Sequence, residues 1–299
     1  QTCDLVSTLH PQCIRSNTIE IARPPLHLIE LITTNIDMIE ELYYALTGAF
    51  AGIAAGMFGV GGGLIIVPVL YFVFASHGYD VQHLMHMAVA TSLATIVFTA
   101  TSSTLAHHKR KAVLWPIVFS ITPGIIIGAW FGGIFASNLD SEVLSKIFAV
   151  FELLVAIHLI LKKQTRQHQA AINKAVASAG GLVIGFISTI VGIAGGTMTV
   201  PLLHWFNVSM QKAVATSAAC GLPIALIGTL AYVYAGWGQM SDNPATLGFL
   251  HIYALAIIAM SSFVFAPLGA RLAHSISEKA LRLSFAGVLL LLSTIMFLS

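Results

Sequence analysis

Long stretches of this chain carry no Lys, Arg, Asp or Glu: residues 42–79, 81–106, 112–139, 175–207, 213–241, 243–270 and 283–299. Most reach or exceed the ~20 residues that a helix needs to cross a bilayer. A further span, 143–161, is interrupted by Lys146 near one end and Glu152 in the middle. Only 9% of the residues are charged, against roughly 25% in soluble domains, and the mean hydropathy is +0.87. This excludes a water-soluble fold and predicts an all-α integral membrane protein embedded in a lipid bilayer.

The few charges order the spans. Most of the Lys and Arg fall at Lys109–Lys111, Lys162–Lys174, Lys212 and Arg271–Arg282, whereas the acids concentrate before residue 42 and at Asp80, Asp140, Glu142 and Asp242. Basic loops stay on the cytoplasmic side. The chain then threads consistently, with loops 76–83, 137–142 and 236–248 outside and the basic segments inside. Both termini are predicted extracytoplasmic, in a plasma (inner) membrane.

The chain also repeats itself. Gly52–Leu70, GIAAGMFGVGGGLIIVPVL, returns as Gly185–Leu203, GFISTIVGIAGGTMTVPLL. Gly52, Gly59, Gly62, Gly63, Val67, Pro68 and Leu70 stand opposite Gly185, Gly192, Gly195, Gly196, Val200, Pro201 and Leu203 at one constant offset. Ala88–Ser92, AVATS, recurs as Ala213–Ser217. Such self-similarity dictates architecture. Residues 42–79 are too long for one straight crossing, and the glycines at their centre lower helix propensity by about 1 kcal/mol each. The stretch reads as two short helical arms around an unwound hinge, repeated over 175–207. Three ordinary spans follow each: 84–107, 113–136 and 145–161, then 211–236, 247–271 and 281–298. Three is odd, so the second half enters from the opposite face. The expectation is two inverted-topology repeats, each a Gly-broken helical hairpin plus three transmembrane helices, a plan of secondary transporters. The divisions are a lead-in at 1–41, a first membrane repeat at 42–161, a cytoplasmic linker at 162–174 and a second repeat at 175–299. The lead-in carries apolar residues at helical spacing from Leu28 to Leu46, with Glu30, Asp37 and Glu41 opposite, and predicts a helix on the outer interface. Cys3 and Cys13 stand there as a disulfide pair or as two thiols; Cys220 lies within a span as a small packing residue. The chain begins at Gln1, which is consistent with a removed upstream signal segment or a trimmed chain.

Irregular backbone at membrane depth is tolerated only where protein buries it or it lines a cavity. The predicted substrate site is therefore Gly59, Gly61, Gly62 and Gly63 with Gly192, Gly195 and Gly196. Their free N–H groups, and the helices beginning just after them, suit an anion, and glycine lets it approach the backbone. Thr91, Ser92, Thr216 and Ser217 add neutral hydroxyl donors, and Pro68 and Pro201 are candidate hinges. The competing reading is packing alone. Small residues four apart, as at Gly52–Gly56 and Gly128–Gly132, bring helices together without any ligand, and Ser or Thr in a span commonly bonds back to its own helix. Glu152 is a carboxyl at mid-membrane, a position that defaults to a functional role such as proton coupling; the alternative is a protonated carboxyl bonded to a neighbouring helix. The expected partners are a small anionic substrate and protons or another coupling ion, without nucleic acid. No HxxxH pair falls within a span, so no metal site is expected. No cofactor is expected either, and GxSxG, HExxH and P-loop motifs are absent, which argues against an enzyme.

The first copy, with Gly52, Gly56, Gly59, Gly61–Gly63 and Val67-Pro68 followed by Ala88–Ser92, resembles the sulfite exporter TauE/SafE family of membrane permeases. The second copy is weaker, with Ser188 and Ala194 read as replacing two glycines. A small-residue helix leading into a final span, at Gly128–Val150 and Ala266–Val288, extends the resemblance over residues 42–299. It implies a permease with two homologous halves that moves small sulfur-containing anions such as sulfite or organosulfonates, in most members outward. Two further readings remain open at this stage: uptake of a small anion, and a non-transporting membrane subunit of a larger complex.

Overall fold

The fold is described from a computed structural model covering residues 26–58, 61–161, 174–206, 208–240, 245–272 and 278–298. Cys3, Cys13, Gly59 and the linker residues 162–173 lie outside the described residues. The chain divides into Gln1–Ile39 and Glu40–Ser299. In the first unit, helix begins at Leu26; the face on which the lead-in helix was expected to lie falls outside the described residues.

Glu40–Ser299 is almost wholly helical, as its charge-free runs require. The helix α1 (Leu26–Phe58) is followed by α2 (Gly63–Ser76), α3 (Leu84–Lys109), α4 (Trp115–Ser137) and α5 (Ser141–Leu161). The same order then recurs as α6 (Lys174–Val191), α7 (Gly196–Trp205), α8 (Met210–Ala235), α9 (Ile252–Leu272) and α10 (Glu278–Leu298). Each Gly cluster breaks its helix where propensity said it would. Pro116 opens α4 at its first turn, where a missing N–H costs nothing.

Among the described residues, five helices are long and apolar enough to cross a membrane, at 84–109, 115–137, 141–161, 211–235 and 252–269. Shorter apolar helices lie at 63–76, 175–191 and 283–298. Their outward faces are apolar: Phe119, Phe131, Leu154, Met260, Val264, Leu291 and Phe297 are all exposed. A soluble protein does not display such a surface, whereas a bilayer covers it. The most apolar window of α3 is 83% buried, against 33% for α5 and for α9. Thus α3 is the central post, packed against α2, α8 and α9, while α5 pairs with α10 at the periphery.

The halves are interlaced through backbone-to-backbone packing. A Cβ placed on Gly48 or Gly52 of α1 would lie 2.6 Å from the Ile258 carbonyl oxygen or 2.5 Å from that of Ser262, both on α9. In the other half, a Cβ on Gly185 of α6 would lie 2.5 Å from the Ile125 oxygen of α4. Each half's first helix therefore packs on a helix of the other half. Gly128 and Gly132 serve this packing, as the small-residue reading anticipated.

One element departs from the expected spans. The expected span 247–271 starts as helix only at Ile252, because a two-residue antiparallel ribbon precedes it: β1 (Thr246–Leu247) pairs with β2 (Leu250–His251) in the register Thr246↔His251 and Leu247↔Leu250. Gly248, at φ 56°, supplies the left-handed turn. A charge-free run carries no mark of where its helix starts, so this was invisible to charge counting.

Candidate functional site

The two Gly clusters form turns of one design. Gly62 (φ 80°) and Gly195 (φ 72°) are left-handed, a conformation that costs an ordinary L-residue roughly 1–2 kcal/mol. The Gly62 oxygen accepts the N–H groups of Ile65 and Ile66 at 3.0 and 3.1 Å. At the equivalent positions, the Gly195 oxygen accepts those of Met198 and Thr199 at 3.0 and 2.8 Å. Each turn thereby launches a short helix, α2 or α7, whose first N–H groups have no partner within the helix. Pro68 and Pro201 lie inside these helices. Each removes one rung of the helical ladder and weakens it at that point.

The turns are not identical. Gly61 is left-handed at φ 77°, whereas its counterpart Ala194 is not among the positive-φ residues. The second copy places its other left-handed residue at Gly192 (φ 79°). There Gly192 closes α6 with an αL cap, its N–H donating to the Ser188 oxygen at 2.9 Å. The substitution that weakened the second motif thus has a backbone cause.

The tertiary structure brings the two turns together. A Cβ on Gly61 would lie 2.4 Å from the Ala194 Cβ, and one on Gly63 would lie 2.3 Å from the Gly192 oxygen. The contact sits between the central helices: Ile96 of α3 borders Gly61 and Gly63, and Ile224 of α8 borders Gly195. A small cavity of about 10 Å³ remains, lined by Ala55, Gly61, Thr99, Ala100, Ser103, Ala194 and Ala218. That is room for about one water, so this conformation is closed.

All four predicted helper hydroxyls are fully buried and bonded within the protein. The Ser92 hydroxyl donates to the Gly192 oxygen at 3.0 Å, tying α3 to the second turn. Ser217 donates back to the Val214 oxygen of its own helix at 2.9 Å. Thr91 Oγ1 accepts the His251 N–H at 3.1 Å, and Thr216 Oγ1 accepts the Leu114 N–H at 3.1 Å. His251 immediately precedes α9 and Leu114 immediately precedes α4, so the repeated AVATS motif makes the same bond in each half. Replacing a buried acceptor strands its donor, at about 1–3 kcal/mol. Thr91→Val should therefore lower the thermal stability of the detergent-solubilised protein. Thr216→Val should do so less, since its bond is only part-buried; equal and negligible shifts would show that these bonds are dispensable.

Glu152 is fully buried on α5, and neither carboxyl oxygen has a hydrogen-bond partner among the described residues. Its neighbour Ala149 accepts the Ser293 hydroxyl of α10 at 2.8 Å. No group of three or more His, Cys, Asp or Glu suited to a metal occurs among the described residues.

The structure also singles out hydroxyls that motif reading passed over. Ser188, Thr189, Thr197 and Thr199 flank the second turn in sequence, and each has a buried hydroxyl oxygen without a hydrogen-bond partner among the described residues. The available signal was a comparison of the two copies: the same positions in the first are Ala55, Gly56, Leu64 and Ile66, so at the constant offset it is Thr189, and not Ser188, that replaces a glycine.

The chain matches the family model described as sulfite exporter TauE/SafE over residues 44–296. A "probable membrane transporter protein" of Haemophilus influenzae is 33% identical over 254 residues, covering 85% of this chain and 96% of that one. A "probable membrane transporter protein" of Methanocaldococcus jannaschii is 30% identical over 258 residues, covering 85% of this chain and 94% of its own length. One from Bacillus subtilis, YunE, is 29% identical over 260 residues, covering 78% and 86%. No solved structure matches the chain. With broken helices meeting at the core of an apolar-surfaced bundle, and with this match along nearly the whole membrane unit, the chain belongs to the TauE/SafE sulfite exporter family and is an integral membrane transporter.

Proposed function

We propose that this protein is a secondary transporter that exports small sulfur-containing anions, such as sulfite or organosulfonates, by alternating access. The observation that carries the reading is the meeting of the two Gly turns, Gly61 against Ala194 and Gly63 against the Gly192 oxygen. Two helix N-termini delivered to one buried point offer dipoles and N–H groups to an anion without a fixed cation. Binding of that kind is weak enough to release its ion. In this reading the anion lies between Gly59, Gly61, Gly62 and Gly63 on one side and Gly192, Gly195 and Gly196 on the other. Thr91 and Thr216, whose hydroxyl oxygens accept N–H groups, serve as helper donors. Ser92 and Ser217 do so only on releasing the Gly192 and Val214 oxygens to which they donate, and α2 and α7 flex at Pro68 and Pro201.

The repeat and the charge distribution support two halves of opposite orientation, with basic loops in the cytoplasm and both termini outside the plasma membrane. The equivalent bonds of Thr91 and Thr216 agree with two related halves. Glu152, a buried carboxyl within a membrane-spanning helix, is the coupling group in this reading. Proteoliposomes loaded with sulfite test the scheme. Wild type should release sulfite faster than empty vesicles, at a rate that responds to an imposed pH gradient. Glu152→Gln should still release it while losing that response. Absence of release for sulfite and for methanesulfonate in either direction would sink the proposed cargo, and an unaltered pH response in Glu152→Gln would return Glu152 to a structural role.

A further inference from the structure

The two turns share a backbone design but differ in chemistry. Around the first, Ala55, Leu64 and Ile66 are buried and apolar. Around the second, the same positions hold Ser188, Thr197 and Thr199, whose hydroxyl oxygens are buried and unpartnered among the described residues. A hydroxyl in a helix ordinarily escapes this penalty by donating to the carbonyl four residues back. This chain uses that escape freely, at Thr95, Thr101, Ser120, Thr122 and Thr229. Ser188, well inside α6, does not take it, nor does Thr199, whose fourth residue back is Gly195; for Thr197 that residue is Ile193, before α7 begins, so the escape is not open to it. Orphaned buried polar groups cost stability, and each calls for an explanation, of which an ion that satisfies it is one.

Their placement fits that reading. The Ser188 Oγ lies 3.2 Å from the position a Cβ would take on Gly195, so it faces the left-handed turn that launches α7. Thr199 lies in the first turn of α7 itself, beside its unpaired N–H groups, whereas Thr197, two residues earlier and so on another side of the helix, forms no part of the argument. Thr189 faces elsewhere, its Oγ1 being 3.2 Å from the Cβ position of Gly228 on α8, and it forms no part of the argument. The ten-residue α7 is long enough to carry a dipole, and the orphaned Ser188 hydroxyl at its start is a second, independent pointer to a ligand.

We propose that the anion is held asymmetrically: of the two turns that flank it, the α6–α7 turn supplies the side-chain donors. Ser188 and Thr199 donate to its oxygens together with the first N–H groups of α7, while the first turn, whose flanking side chains are apolar, offers only its backbone. This rests on the transport reading above and assigns that site its side-chain donors. The charge at the site also limits the cargo. Among the described residues the buried polar and charged side chains include no Lys or Arg. Neutral donors and two helix termini compensate about one elementary charge, and an uncompensated second charge at a buried site is heavily penalised. The site therefore takes a monoanion, such as a sulfonate or hydrogensulfite, in preference to a dianion of the same size.

Methanesulfonate and sulfate form the test pair, alike in size and different in charge. Binding is titrated by calorimetry on the full-length protein in detergent, and apo stability is read by thermal unfolding. Wild type should bind methanesulfonate at least tenfold more tightly than sulfate. Ser188→Ala and Thr199→Val should each weaken methanesulfonate roughly tenfold to a hundredfold, the value of one hydrogen bond to a charged group. Both variants should be as stable as wild type without anion, or more so, because they remove orphaned hydroxyls and no bond. A merely structural hydroxyl would show the opposite, lost stability with affinity unchanged. If wild type binds methanesulfonate and both variants bind it equally well, the asymmetric site is overturned; equal affinity for sulfate overturns the charge preference. If wild type binds neither these anions nor sulfite, the underlying transport reading falls instead.

Discussion

Gly128→Leu should yield no monodisperse protein on size-exclusion chromatography in detergent, whereas Gly287→Leu should elute as wild type does. Along α4, a Cβ on Gly124, Gly128 or Gly132 would lie 1.8, 2.0 or 2.5 Å from the carbonyl oxygens of Ser178, Leu182 and Phe186 on α6. The reverse contact is as tight, since a Cβ on Gly181 would be 2.3 Å from the Ile121 oxygen. These are backbone atoms, which cannot rotate away as a side-chain tip can. In lipid no hydrophobic effect drives helices together, so close van der Waals contact at small residues carries much of the association. A leucine in this seam forces the helices apart along their length. Overpacking costs of about 1–3 kcal/mol assume a core that can yield; here the loss should approach the whole net stability of ~5–15 kcal/mol. At Gly287 nothing lies within 4 Å of an added Cβ, and leucine is the better helix former. A normal elution profile for Gly128→Leu would mean that the α4–α6 seam is far looser than described.

Gly63→Ala should abolish sulfite release from proteoliposomes while leaving a folded protein. The added methyl would sit 2.3 Å from the Gly192 oxygen and 3.1 Å from the Ile193 Cα. The first turn must then retreat from the second by the better part of an ångström. That oxygen also accepts the Ser92 hydroxyl, so the strain passes to the central helix α3. Displacements of about 1 Å in a preorganised site cost on the order of a hundredfold in rate. The surrounding packing of α3 against α8 and of α4 against α6 is untouched, so thermal unfolding should shift by only a few degrees. Transport at the wild-type rate in a folded Gly63→Ala protein would show that the turns need not close on one another.

Much of this was legible in the residues. Charge-free runs longer than a bilayer is thick admit helices and little else, and the paired VPxL and AVATS motifs located two Gly-broken elements and the helices that follow them. The glycines at 61–63 and 192–196 marked the breaks because no helix keeps its propensity across them. The resemblance carried by those motifs agrees with the family match over residues 44–296. The ribbon before α9 was not legible, since a two-residue strand between apolar segments has no period of its own. Nor did the sequence distinguish the roles of equivalent hydroxyls. Thr91 and Ser92 look alike as donors, yet Thr91 accepts from His251 and Ser92 donates to Gly192.

Sequence by itself determined that this chain lives in a bilayer, that it is built twice, and where its helices must break. Those properties follow from local composition and from repetition, which need no knowledge of distant neighbours. Only the tertiary structure decided that the two breaks meet, that each half's first helix packs on the other half, and that the hydroxyls around one turn are left without partners. Such facts depend on which backbones approach across residues far apart in sequence. A glycine permits close approach without naming what will approach it.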